Sequence, residues 1–250
     1  MKLAVLVFSL VLVLTMLATC KSVQLPDLET ARAAPPGACV VIGFLGGMDA
    51  WNDASKGVRE LALELRDSDR GVYTETFENR RIPLAVAFVE RVLDVNQDGT
   101  VDADETRRVR LVVYGQSLGG WAAVEFARML ATRSVPVELL LQIDSVGFGD
   151  DEVPANVRRA ANFYQDDGWI IAGENPIRAT DPSRTRVIGN WKFAYDQPPG
   201  SAIDIGDLPW WKKAFRVAHA RMDRDPRVWA AAGALIDHAC RPGASGRVNS

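Results

Sequence analysis

Apolar runs alternate with amphipathic segments along most of the chain. The runs predict strands, most of them buried and parallel: CVVIGFLGG from Cys39, GVYTETFE, VRLVVYG, PVELLLQID, AANFYQ and RTRVIGNWKFAY. The segments between and after them carry apolar residues at helical spacing: KGVRELALELR, IPLAVAFVERVL, GGWAAVEFARMLA, WWKKAFRVAHA and PRVWAAAGALID. Strands that alternate with helices predict an α/β fold, with a mostly parallel central sheet covered by helices on both faces. In such sheets the chemistry gathers at the carboxyl ends of the strands.

The first 20 residues have a different pattern, with one lysine followed by an apolar run that ends at Cys20. This pattern predicts a signal peptide, and the run is short for a stable membrane span. LATC resembles the bacterial lipobox, in which the cysteine carries lipid after cleavage, although Thr19 stands where that motif prefers a smaller residue. Lipidation of Cys20 is one reading, and ordinary cleavage nearby or at Ala31–Ala33 is the other. In either case we expect export, to the medium, the periplasm or the cell envelope.

The rest of the chain has the composition of one globular domain. Residues 21–36 contain three prolines and are predicted to be a tether, and residues 37–250 form one domain without repeats or a second linker. The net charge is -3 and the pI is near 5.5, so the chain lacks the excess of basic residues that is typical of nucleic-acid-binding proteins. Nucleic acid is therefore not expected as a partner. No obligate protein partner is evident either. Cys39 and Cys240 would form a pair in an oxidising compartment, and two unpaired thiols are the alternative.

The strand VRLVVYG runs into Gly115-Gln116-Ser117-Leu118-Gly119, which fits the pattern G-x-S-x-G. In this pattern a serine on a sharp strand-to-helix turn projects its hydroxyl above the sheet. A strongly apolar strand before the turn and a helix after it are the context that the motif requires. From about Cys39 to the C-terminal region the chain resembles the α/β-hydrolase family, particularly its lipases and esterases. The resemblance implies the α/β-hydrolase fold and Ser117 as the nucleophile.

A serine hydrolase needs a base and an acid that orients it. The family order of serine, acid and histidine allows His219 or His238 as the base. His219 is preferred, because HARMD resembles a His-x-x-[Ile/Met]-Asp stretch of some bacterial lipase-like members. The preferred acid is Asp144, which ends an apolar strand at the position that pancreatic-type lipases use. Asp166 and Asp167, after the next strand, are the alternatives.

Two backbone N–H groups should form the oxyanion hole of such an enzyme. One is that of Leu118, which follows the nucleophile. The other should come from the glycine-rich loop after the first strand, where lipases often have His-Gly-x-Gly and this chain has Gly43-Phe44-Leu45-Gly46. Aligning the glycine pairs makes Leu45 the second donor, with Phe44 and Gly46 as its neighbours.

The segment DVNQDGTVDADE, residues 94–105, matches the EF-hand loop pattern D-x-[DN]-x-[DN]-G-x5-E. We therefore expect a Ca²⁺ ion, whose ligands are Asp94, Asn96, Asp98, Thr100 through its carbonyl, Asp102 and Glu105. The entering helix fits an EF-hand, but the chain enters the strand of Ser117 a few residues after Glu105. Because there is neither a long exiting helix nor a second loop, the ion is expected to brace the scaffold and not to act as a sensor.

These features together predict a secreted or lipid-anchored serine hydrolase that cleaves carboxylic esters through an acyl-enzyme. The substrate would be a small-molecule or lipid ester, and lipidated Cys20 would be the means of membrane anchoring. A thioesterase, amidase or peptidase would use the same triad, because the fold hosts all of them. A calcium-stabilised envelope protein that uses the fold for binding only is the alternative outside enzymes.

Overall fold

The computed structural model describes residues 22–28, 33–68, 71–167, 176–206 and 210–241, with only the backbone for 210–216. Within these ranges six parallel strands form one sheet, in the order β2-β1-β3-β4-β6-β8. They are β1 (Cys39–Leu45), β2 (Val72–Glu78), β3 (Arg110–Gln116), β4 (Val137–Ile143), β6 (Val157–Tyr164) and β8 (Arg186–Lys192). Two short strands, β5 (Glu152–Val153) and β7 (Arg178–Ala179), pair separately.

Helices cover both faces of this sheet. They are α1 (Gly57–Asp67), α2 (Ile82–Leu93), α3 (Ala103–Arg108), α4 (Leu118–Ala131), α5 (Trp210–Asp223) and α6 (Pro226–Cys240). Single 3₁₀ turns lie at Leu25–Asp27, Asn79–Arg81 and Gly200–Ala202. The predicted α/β class is therefore confirmed, with a parallel central sheet between two helical layers.

Successive side chains of a strand point to opposite faces of the sheet, and the side chains of β1 are buried on both faces. Val40, Ile42 and Phe44 pack in one core cluster with α2 and α4. Cys39, Val41 and Leu45 pack in the second cluster with α1, α5 and α6. A strand buried on both faces has no polar alternation, which is why the sequence run is continuous.

A disulfide joins the beginning of β1 to the end of α6. Cys39 and Cys240 are bonded, with their Cα atoms 5.3 Å apart, so the predicted bridge is confirmed. Arg110 supports the same corner, because its side chain donates to the carbonyl oxygens of Cys240 and Gly37 at 3.0 and 2.7 Å. This corner lies at the amino-terminal edge of the sheet, where β1 and β3 begin.

The N-terminal segment is packed against the domain where the structure describes it. Val23 is fully buried and Leu28 nearly so, and both belong to the core cluster of α2 and α4. Ser22 Oγ and the Val23 N–H donate to Glu78 Oε1 at 3.0 and 3.2 Å, and Arg81 donates to the Val23 carbonyl. This part of the predicted tether 21–36 is therefore a packed segment and not a free linker.

The predicted signal peptide and Cys20 lie outside the described residues. None of the helices in the described ranges is long and apolar enough to cross a membrane.

Candidate active site

Ser117 lies between β3 and α4 in a strained backbone conformation, with φ 59° and ψ -130°. A non-glycine residue at positive φ costs on the order of 1–3 kcal/mol, so the surrounding contacts must hold it in place. The Ser117 N–H donates to the Ile143 carbonyl at 3.0 Å, and the Ser117 carbonyl accepts from Val146 N–H at 3.3 Å. These bonds fix the serine at the carboxyl ends of two neighbouring strands.

Glycines make the sharp turn around Ser117 sterically feasible. A Cβ atom at Gly115 would lie 2.0 Å from the carbonyl oxygen of Gly119, and one at Gly119 would lie 2.0 Å from that of Phe44. The flanking glycines of the G-x-S-x-G pattern therefore let α4 start directly over the ends of β3 and β1.

The structure brings Asp144 and His219 together. Asp144 follows β4 directly, is completely buried, and has its Oδ2 atom 2.6 Å from Nδ1 of His219. Gln165 donates to both carboxylate oxygens at 3.3 Å and so holds the carboxylate from another side. Because Oδ2 accepts a hydrogen bond from Nδ1–H, we assign the tautomer that leaves Nε2 as an acceptor, which is the form a general base requires.

The other imidazole nitrogen lies next to the serine turn. His219 Nε2 is 3.5 Å from Nε2 of Gln116, the residue immediately before Ser117. In the assigned tautomer the Gln116 amide donates to this nitrogen. A contact of this length is weak, so the Ser117 hydroxyl can take the same acceptor when substrate binds, since catalytic hydrogen bonds often form only then.

The loop after β1 forms the wall beside Ser117. The Asn79 amide donates to the carbonyls of Leu45 and Gly47 at 3.1 and 2.6 Å, which fixes the conformation of the loop. A Cβ atom at Gly46 would lie 2.8 Å from Cβ of Ser117. The predicted oxyanion donors thus lie on two segments that meet at the serine, since Leu45 ends β1 and Leu118 begins α4. Their role as donors stays a prediction.

The alternative acids and the alternative base lie elsewhere. Asp166 forms an ion pair with Lys192, and Asp167 accepts a hydrogen bond from the Tyr195 N–H. His238 is exposed in the last turn of α6, two residues from the disulfide that marks the amino-terminal edge of the sheet. Of the candidates from the sequence, the structure therefore places Asp144 and His219 beside each other, close to the serine turn.

A second group of charges ties the loop after β1 to the helix of His219. Lys56 Nζ is 3.1 Å from Asp49 Oδ2 in the loop and 3.9 Å from Asp223 Oδ2, one helical turn after His219. The Gly57 N–H also donates to the Asp223 carboxylate. Burial raises the pKa of Asp223, Lys56 opposes this rise, and the Asp49 carboxylate adds to it.

Sequence reasoning missed Gln116, Gln165 and the group of Lys56, Asp49 and Asp223. Only their positions in the sequence gave a signal. Gln116 occupies a variable position of the serine motif, and Gln165 directly follows the strand β6, which is next to the strand that Asp144 follows.

The predicted calcium loop lies between α2 and β3, at the amino-terminal end of the serine strand. Its acidic side chains bind the backbone of the loop. Glu105 accepts from the N–H groups of Val95, Asn96 and Asp102, and Asp94 accepts from those of Asp98 and Gly99. The exiting helix α3 has only six residues, which agrees with the expectation that no long helix follows.

The side chains of this loop suit Ca²⁺ in chemical type, because they offer only oxygen donors. In the described part of the chain, however, no three His, Cys, Asp or Glu residues are grouped so that they could hold a metal ion. The hydroxyl of Thr100 donates to Asp98 and lowers the pKa of its carboxyl. Calcium binding by the loop stays a prediction.

The parallel sheet, its two helical layers and the serine turn after β3 make up the architecture of the α/β-hydrolase fold. No family model and no curated protein matches the chain. A solved structure of a cutinase-like protein from Cryptococcus sp. is 15% identical, with 84% of this chain and 97% of that one covered and a TM-score of 0.41.

Two further solved structures are similar to a comparable degree. A dienelactone hydrolase-like promiscuous phosphotriesterase from metagenomic libraries is 14% identical over 85% of this chain and 90% of that one, with a TM-score of 0.39. An uncharacterized protein from Pseudomonas aeruginosa is 11% identical over 83% of this chain, with a TM-score of 0.46. The chain spans about half the length of the Pseudomonas protein, 52%.

Proposed function

We propose that the protein is a serine hydrolase that cleaves carboxylic esters through an acyl-enzyme. The observation that carries this proposal is the contact of 2.6 Å between Oδ2 of the buried Asp144 and Nδ1 of His219, at the edge of the sheet where Ser117 lies on its turn. A buried carboxylate that orients an imidazole beside a strained serine is the arrangement that activates a hydroxyl as a nucleophile.

In the acylation step, the Ser117 hydroxyl oxygen attacks the ester carbonyl carbon while His219 Nε2 takes the hydroxyl proton. Asp144 stabilises the imidazolium that forms. The carbonyl oxygen becomes an oxyanion, which the N–H groups of Leu118 and Leu45 would bind. Collapse of this intermediate breaks the bond to the alcohol, and the alcohol oxygen takes the proton from His219. Water then attacks the acyl-enzyme by the same route, releasing the acid and restoring Ser117.

A fluorophosphonate probe tests the nucleophile directly, because it forms a stable bond only with an activated serine. We expect labelling at Ser117, abolished by Ser117→Ala and retained by Ser183→Ala, which changes a serine of an exposed turn. Absence of labelling in folded wild-type protein would contradict the proposal and favour a non-catalytic binding role.

The type of bond cleaved is tested with matched substrates. We expect turnover of p-nitrophenyl esters, and a series of acyl chains would define the acyl pocket. A preference in kcat/KM for the matching thioesters or anilides would instead identify a thioesterase or an amidase, since the same triad serves both.

We also propose that the protein is exported and anchored by lipid at Cys20, and that the loop 94–105 binds Ca²⁺ as a brace. The packed position of residues 22–28 supports processing at Cys20, because cleavage near Ala31–Ala33 would remove Val23 and Leu28 from the core. Mass spectrometry of the mature protein tests the anchor: a diacylated or triacylated Cys20 is expected, and a free N-terminus after residue 31 would exclude it.

A further inference from the structure

We infer that the edge of the sheet that carries Ser117 lies against the lipid bilayer in the anchored protein. The inference rests on the proposed lipid anchor at Cys20, and it adds the orientation of the domain to the proposed function. Its first support is the place where the chain meets the domain. Ser22 and Val23 both donate to the carboxylate of Glu78, a fully buried residue that ends β2 at the carboxyl edge of the sheet.

Chain length limits how far the lipid can lie from this point. Cys20 is two residues before Ser22, so their Cα atoms are at most about 7 Å apart. A seven-residue strand such as β2 spans about 20 Å, so the lipid attachment point cannot reach the amino-terminal edge. The strand order β2-β1-β3 places the strand of Ser117 two spacings from β2, which is about 10 Å. The anchor and the serine turn therefore share one edge.

A second support, independent of the anchor, is the position of exposed apolar side chains. Among the described residues the large apolar side chains that are exposed are Met48, Leu118, Phe148 and Trp191, at 80%, 39%, 98% and 40%. Met48 follows β1, Leu118 follows β3 and Phe148 follows β4, and Trp191 is the next-to-last residue of β8. All four thus lie at or near the carboxyl edge. Such side chains lose contact with water when this edge meets the boundary between headgroups and acyl chains.

The amino-terminal edge of the sheet is polar and charged where the carboxyl edge exposes apolar side chains. A cleft of about 810 Å³ at the amino-terminal edge is lined mainly by polar and charged residues, among them Arg107, Arg110, Arg158 and Arg184. These arginines could attract anionic headgroups, which makes this edge the rival docking face. The lipid attachment point and the exposed apolar side chains both favour the carboxyl edge. Docking there would present Ser117 to esters that lie in the bilayer surface, so we infer a lipid-borne ester as the substrate class.

Fluorescence quenching in vesicles can separate the two orientations. The full-length, lipid-anchored protein would carry Met48→Cys, Phe148→Cys or, as the control on the rival face, Arg158→Cys, each labelled with an environment-sensitive fluorophore. Cys39 and Cys240 are bonded to each other and do not react. The vesicles would contain phosphatidylethanolamine and phosphatidylglycerol, with a nitroxide on part of the acyl chains.

We expect quenching at positions 48 and 148 to be several-fold stronger than at position 158. Equal quenching at all three positions, stronger quenching at position 158, or none at any position would overturn the proposal. If the fluorophore also labels the wild-type protein, Cys20 has a free thiol. The lipid anchor is then absent, and the proposed orientation loses its basis. Each labelled variant is also measured in a Ser117→Ala background. Quenching that is unchanged in this inactive protein shows that docking on the membrane does not depend on hydrolysis, so the two proposals are tested separately.

Discussion

The carboxylate of Asp144 contacts the His219 imidazole on one side and the Gln165 amide on the other, with Oδ2 2.6 Å from Nδ1 and 3.3 Å from the amide nitrogen. These residues come from the end of β4, from α5 and from the segment after β6. Asp144 is fully buried, so the Gln165 amide and the His219 imidazole donate the hydrogen bonds that water would otherwise donate to its carboxylate.

Asp144→Asn should abolish most of the esterase activity and leave the fold intact. The amide keeps the shape of the side chain but stabilises the wrong imidazole tautomer, and an equivalent change in a well-studied protease triad lowers kcat about 10⁴-fold. Steady-state kinetics on a p-nitrophenyl ester measure the effect. Asp166→Asn, at the partner of Lys192, is the matched control and should keep kcat near the wild-type value. A loss in Asp166→Asn, with Asp144→Asn near the wild-type kcat, would point to Asp166 instead.

Asp223→Asn should alter how stability depends on pH. Burial raises the pKa of Asp223 above 3.8, so the folded state binds this proton more tightly than the unfolded state. The contribution of Asp223 is then fully present below that value and is lost as pH rises through the folded pKa. The amide removes this loss, so the free energy of unfolding of the variant, relative to wild type, should increase as the pH rises above about 4.

Urea unfolding at several pH values measures this difference. Asp237→Asn, which changes a carboxylate in α6 that pairs with Arg241, is the control and should give a difference that does not rise in the same window. A difference between Asp223→Asn and wild type that stays flat or falls with pH would refute the assigned role of burial.

Replacing both bonded cysteines by serine should lower stability strongly. The bridge spans a sequence separation of 201 residues, and in the chain-entropy model a loop of that size contributes up to about 5 kcal/mol. Thermal unfolding of Cys39→Ser/Cys240→Ser should show a large fall in Tm. Cys20→Ser, which removes a cysteine outside the bridge, should leave Tm close to that of the wild type, and a fall of the same size there would contradict the assignment.

Chelation of calcium should lower Tm without changing the turnover of protein that is still folded. Without a cation, the carboxylates of Asp94, Asp98 and Asp102 repel one another in one short loop, which should loosen the connection into β3. Glu105→Gln should abolish the calcium-dependent part of Tm, whereas Asp181→Asn, in another exposed turn, should preserve it. A large, reversible change in kcat of fully folded protein on chelation would favour a regulatory site.

The fold was largely predictable because its strands are continuous apolar runs, as in β1 and β4, and because the glycines around Ser117 mark a specific turn. The preference for Asp144 rested on the same logic, since a residue that ends a buried strand is held rigidly. Contacts between side chains of distant segments left no such pattern. The amides of Gln116 and Gln165 and the Lys56 contacts depend on which loops meet in space, and neither periodicity nor spacing encodes this.

Residues 21–36 show that local composition can also predict too little contact with the rest of the domain. Prolines suggested a linker, yet Val23 is buried in the core cluster that also contains residues of β2 and α2. Local composition describes what a segment can do alone, and packing against a distant surface can override it.

The Cys39–Cys240 bridge also affects the order of events in biosynthesis. Its second cysteine is made 201 residues after the first, so, with export as proposed, the cross-link would close only when almost the whole domain has crossed into an oxidising compartment. From then on, one break of the backbone anywhere between the two cysteines leaves a single covalent molecule. A protease that cuts a surface loop between the two cysteines would therefore not release a fragment, because the disulfide would hold both pieces together.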